Sequence, residues 1–83
     1  MMEQLEKLNA KQDFEDFLAL LAKDFQKNNS NWENVSLESY LNSLHSFSKD
    51  VEGYYQNNSM KMNVNNPSWR LFADILLGAR IYE

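Results

Sequence analysis

The sequence predicts an all-α protein: a compact bundle of three long helices behind a short N-terminal helix, with the C-terminal helix most buried. Three observations support this. Apolar side chains recur at spacings of three and four along residues 10–27 and 37–55, the period that gathers them on one face of a helix. The stretch from Asn66 to Tyr82 is apolar around most of its circumference, and such a helix has to lie among others. The alternating stretch from Met60 to Asn65 is the one strand-like pattern, and one strip makes no sheet.

Each element has its own signals. Residues 2–9 form a short leading helix through Met2, Leu5 and Leu8, too short to persist without docking. Asn9 with Gln12 resembles a capping box that starts the next helix near Ala10 and carries it to about Lys27. There Phe14, Phe17, Leu18, Leu21 and Phe25 fall within about 100° of arc. Asn28-Asn29-Ser30-Asn31 stops the pattern, because short polar side chains compete for backbone hydrogen bonds. Trp32, in the connection that follows, is expected to anchor the loop to the core.

Ser36 is the expected N-cap of the third helix, with Val35 and Tyr40 in the positions of a hydrophobic staple. Leu37, Tyr40, Leu41, Leu44, Phe47 and Val51 cover about 120° of arc, with His45 half-buried on the flank. Either Gly53 ends this helix or Tyr54 and Tyr55 form its last turn, and Asn57-Asn58-Ser59 closes it. Met60, Met62 and Val64 then lie down as a lid. Pro67 is read as the first residue of the last helix. On that helix the Arg70 and Asp74 edge is expected to face water, while Arg80 lies along the core and reaches the last carbonyls or an acid such as Glu33.

At 83 residues the chain is one domain, 1–83. Surface scaling buries about 64% of the extended chain's area, and eleven aromatic residues make the core dense for its length. With no cysteine there are neither disulfides nor thiolate metal sites, which fits a reducing, cytoplasmic setting. Neither a signal peptide nor a membrane span is expected, since no basic segment leads into an apolar run of spanning length.

The net charge of −4 is carried by residues 1–40, which hold eight acids against four lysines; the remainder carries four of each sign. Nucleic acid is disfavoured as a ligand, because phosphate binding needs clustered cations. Catalysis is disfavoured as well. The acids belong mostly to solvent faces and His45 stands alone, without a second His, a Cys or a Ser-acid pair. No catalytic residue, metal ligand, cofactor or small-molecule ligand is assigned.

Trp32-Glu33-Asn34, Ser36-Leu37-Glu38 with Tyr40-Leu41, Gly53-Tyr54-Tyr55, Asn66-Pro67-Ser68-Trp69, Ala73-Asp74-Ile75-Leu76 and Tyr82-Glu83 follow one another along the chain. In this order they resemble a family of small bacterial proteins classed only as a domain of unknown function, over residues 12–83. That resemblance implies a compact helical domain with no established activity, cofactor or catalytic residue. In size, acidity and helix order the chain is also similar to the immunity proteins that neutralise DNase bacteriocins, which use a Tyr-Tyr pair in toxin binding; Tyr54-Tyr55 and Pro67-Ser68 echo that layout. It departs from them in having no proline after Tyr55 and no acidic segment between Gln56 and Asn66.

The function expected is therefore that of a protein-binding module. Trp32, Glu33, Tyr54 and Tyr55 are its candidate partner-binding residues, since Tyr and Trp supply contact area at small entropy cost. Two alternatives are an immunity or antitoxin protein that neutralises a toxin, and a structural homodimer whose aromatics are all core.

Overall fold

A computed structural model describes residues 5–82. Among them the chain forms three α-helices, α1 (Lys11–Asn28), α2 (Leu37–Asn57) and α3 (Trp69–Gly78), and a 3₁₀ turn at Asn29–Asn31. The fold class is all-α. The leading helix expected over residues 2–9 falls partly outside the described residues; within them residues 6–9 form a turn and an irregular stretch instead of helix, with Leu5 and Leu8 buried.

Helix α1 begins one residue later than its expected capping box. Ala10 occupies the cap, and Asp13 reaches back to accept from the N–H groups of Asn9 and Ala10 at 3.0 and 3.1 Å. A carboxylate in the first turn satisfies orphan donors and sits on the positive end of the helix dipole, so Asp13 takes the role expected of Gln12.

Helix α2 starts where its cap predicts, with Ser36 Oγ accepting from the Ser39 N–H at 3.1 Å. It passes through Gly53 unbroken, so Tyr54 and Tyr55 lie near its end. That end is a Schellman motif. Ser59 sits at φ 55°, its N–H donates to the Gln56 carbonyl at 3.2 Å, and the Met60 N–H donates to the Tyr55 carbonyl at 2.8 Å. The turn sets Met60, Met62 and Val64 against the core while Lys61, Asn63 and Asn65 stay exposed, as the alternation requires.

Helix α3 is ten residues long, shorter than expected at both ends. Its cap is Ser68, whose Oγ accepts from the Leu71 N–H at 3.1 Å; Pro67 stands before the cap because it has no acceptor to offer an orphan N–H. At the other end, partners from elsewhere take the carbonyls. Tyr40 Oη donates to Leu76 O at 2.7 Å. Arg80 Nε donates to Leu77 O at 2.9 Å, and Asn34 Nδ2 to Ala79 O and Tyr82 O at 2.9 and 2.8 Å. Ser43 Oγ reaches Tyr82 O at 2.7 Å, and the N–H groups of Glu33 and Asn34 both reach Arg80 O.

Helices α1 and α2 pack on α3 from different sides while their own backbones stay apart. Four of the ten α3 residues are buried, against two of eighteen in α1 and four of twenty-one in α2, so the C-terminal helix is the most buried of the three. One half of the core joins Leu5, Leu8, Phe17 and Leu21 to Ala73 and Leu77. The other joins Phe47, Val51 and Tyr55 to Leu71, under the Met60 to Val64 strip.

Four expectations about faces are corrected. Asp74 is buried, held by two partners, although the Arg70–Asp74 edge reads as a solvent face. Phe72 and Leu18, at the margins of their apolar arcs, are exposed. His45 is exposed rather than half-buried. Leu37 and Leu41, expected to face the core, are 73% and 51% exposed. The last has two causes: Tyr40 already reaches the last turn of α3 through Leu76 O, so Leu37, three residues earlier, lies beyond that support, and Leu41 lies roughly 160° round the helix from the buried Ser43.

Candidate functional site

Tyr55 and Trp32 do not share a surface. Tyr55 is 2% exposed, with its ring in the core and its hydroxyl donating to Asp74 Oδ2 at 2.6 Å. Burial, reinforced by the adjacent carboxylate, pushes its phenol well above the ordinary range. Arg70 Nε lies 3.0 Å from Asp74 Oδ1, and Arg70 Nη1 donates to the Leu5 carbonyl at 3.3 Å. This triad ties the N-terminal segment, α2 and α3 together, and it removes Tyr55 from the candidate contact residues. The reason is helical phase: Tyr55 follows Phe47 and Val51 at intervals of four, on the buried face.

Tyr54 is one position round the helix and 41% exposed. Its ring meets Phe47 and Tyr55 edge-on at 5.7 and 5.6 Å. Together with Phe47, Asn57, Gly78, Ile81 and Tyr82 it lines a groove of ≈ 350 Å³. The hydroxyl of Tyr82 donates to Asp50 nearby.

Trp32 lies at the other end of α2. From Tyr40, which it touches, to Tyr54 the helix rises roughly 21 Å, so the four candidates do not form one patch. Trp32 is half-buried, as expected for a loop anchor. Its Nε1 donates to Asp24 Oδ2 at 2.8 Å, and its ring packs edge-on against Phe25 at 5.0 Å and beside Tyr40 at 5.6 Å. The Arg80 guanidinium lies 5.9 Å from the ring centre and contacts Asp24 Oδ2 at 3.0 Å. Arg80 thus finds Asp24, not Glu33, because the indole over which it lies holds the Asp24 carboxylate with its own N–H. The indole N–H, followed by Arg80 and Asn28, holds the Asp24 carboxyl below its ordinary value against the opposing effect of burial. Burial pushes the Tyr40 phenol up to about 12. Glu33 is exposed, and its backbone N–H is bound to Arg80 O.

Around Trp32 the surface is apolar. Phe25, Trp32, Val35, Leu37 and Tyr40, with Asn34 and Ser36, line an open groove of ≈ 260 Å³. Val35 is 53% exposed, and Leu41 lies one helix turn beyond Leu37. Sequence reasoning missed this face by placing Leu37 and Leu41 in the core stripe. The signal available was the position of Leu37 at the very start of its helix, where no neighbouring element is guaranteed. Asn34, which the sequence presents only as part of a motif, clamps residues 79–82 with its side chain.

Among the described residues no group of three His, Asp or Glu side chains converges as a metal site, and no helix is long and apolar enough to cross a membrane. The Trp32 groove offers apolar area with a hydrogen-bonding rim; beside Tyr54, a hollow of ≈ 190 Å³ is lined by Arg70, Asp74 and Arg80 together with Leu5 and Leu77.

No curated protein and no solved structure matches the chain. Residues 10–83, which contain every residue of both grooves and of the Trp32–Asp24–Arg80 cluster, match the family of unknown function DUF7660. The chain therefore belongs to that family.

Proposed function

We propose that this protein is a non-enzymatic protein-binding module whose contact face is the groove between the Trp32 loop and the start of α2. The observation that supports it is the joint exposure of Leu37, Val35 and Leu41, at 73%, 53% and 51%, beside the aromatic floor of Phe25, Trp32 and Tyr40. Single exposed apolar residues are ordinary, but contiguous ones beside half-buried aromatics are a common feature of interfaces. Trp32 and Glu33 remain the candidate residues at this face, and Tyr54 belongs to the separate groove. An immunity or antitoxin version using a tyrosine pair has Tyr54 alone available.

The test is a photo-crosslinking side chain placed at Leu37 in the native host, with the exposed position Lys49 as control. The reading expects one discrete adduct from position 37 that is lost when Leu41→Asp is added. No adduct, or the same adducts from both positions, contradicts it.

A further inference from the structure

Resting on the binding-module reading, we propose that this groove receives an amphipathic helix from a partner protein, with Lys or Arg flanking its apolar seam. Three features of the face identify that occupant. The first is size. At ≈ 260 Å³ the groove is smaller than the roughly 300–1,000 Å³ of small-molecule sites; it suits one or two anchoring side chains.

The second is the form of the contact. Leu37 and Leu41 are an i,i+4 pair and present a seam one turn long, the arrangement that meets the apolar stripe of another helix. The connecting segment that carries Val35 is not a ready edge for an added strand. The N–H groups of Glu33 and Asn34 are both already donated to Arg80 O at 2.9 and 3.0 Å, so side chains must supply the recognition.

The third is charge. Glu33 and Glu38 flank the segment that lines the groove, both are exposed, and neither belongs to an ion pair among the described residues. Asp24, below the indole, is already satisfied by Trp32 and Arg80. Lys23 and Lys27 lie with Leu20 and Asn28 along a separate hollow on the other side of Asp24. A partner's cations therefore meet one carboxylate just before the lining segment, Glu33, and one just after it, Glu38. A second copy of this chain fits less well. A two-fold interface sets a patch against itself, bringing the same two carboxylates toward their duplicates.

Calorimetry with two synthetic helices of about four turns tests this. They share one Leu seam, flanked by Lys in one and by Glu in the other, and wild type is compared with Glu33→Gln/Glu38→Gln and Leu37→Asp/Leu41→Asp. The inference expects the Lys helix to bind wild type roughly tenfold tighter at low salt, and the difference to shrink in high salt. The Gln variant should erase the difference, and the Asp variant should bind neither helix while keeping wild-type circular dichroism. Equal binding of both helices, lost in the Asp variant, overturns the basic partner and leaves the module reading standing. No binding by wild type, or binding unchanged in the Asp variant, overturns the face itself. A wild-type dimer in sedimentation that the Asp variant converts to monomer overturns the proposal in favour of a second copy.

Discussion

Tyr55 and Asp74 meet across the α2–α3 contact in a 2.6 Å hydrogen bond, with both side chains buried. Because Arg70 engages the same carboxylate and also the Leu5 carbonyl, the bond is the centre of a link between three parts of the chain. Tyr55→Phe should cost about 1.5–3 kcal/mol in urea unfolding, the range for a hydrogen bond to a charged group. Asp74→Ala should cost more, about 3–5 kcal/mol, since it strands both the phenol and a partly buried guanidinium. The exposed pair Lys11–Glu15 is the control, and Glu15→Gln should stay within about 0.5 kcal/mol.

The two glycines should respond in opposite directions to alanine. At Gly78 a Cβ would lie 2.4 Å from Phe47 Cε2, so the ring must move, whereas at Gly53 it would meet nothing within 4 Å. Gly78→Ala should destabilise by about 1–3 kcal/mol through overpacking. Gly53→Ala should stabilise by about 0.8–1 kcal/mol, the helix-propensity difference. Thermal melts of the two variants check both signs.

Ser59 occupies the left-handed position of the Schellman turn at φ 55°, a conformation that glycine adopts without a Cβ penalty. Ser59→Gly should raise stability by about 0.5–1 kcal/mol, measured by urea denaturation. Ser59→Val should lower it, because a β-branched residue is poorly tolerated there.

Stability should fall at both extremes of pH, for different residues. The Asp24 carboxyl is held below its unfolded value by Trp32 first and then by Arg80 and Asn28, so its contribution is present above the unfolded value of about 4. It is lost as pH falls through the depressed native value. Asp24→Asn should be less stable at pH 7 and lose less between pH 5 and pH 2. The Tyr40 phenol is raised to about 12 by burial. Its contribution is complete below pH about 10 and disappears as pH climbs through the native value. Tyr40→Phe should reduce the alkaline loss without abolishing it, because Tyr55 is shifted in the same direction.

What the sequence disclosed was local. Ser36 as a cap, Asn57-Asn58-Ser59 as a terminator and the Met60 to Val64 strip each depend on neighbours in the chain, and each appears as read. The buried Asp74 was illegible because its main partner, Tyr55, lies nineteen residues away; an i,i+4 Arg–Asp pair by itself reads as a wet edge. Leu37 and Leu41 were misplaced for a related reason. Periodicity says which side chains share a face, but not which part of that face a neighbouring helix covers. The early stop of α3 goes with Tyr40 taking its Leu76 carbonyl and with Asn34 and Ser43 taking the Ala79 and Tyr82 carbonyls just beyond it, which no local pattern encodes.

The most direct measurement is the attenuation of leucine methyl signals by a soluble paramagnetic agent in the isolated monomer. Leu37 and Leu41 should be strongly attenuated, while Leu71 and Leu77, on the central helix, are protected. Protection of Leu37 and Leu41 equal to that of Leu71 would mean that the start of α2 is already covered, and the proposed contact face would not exist.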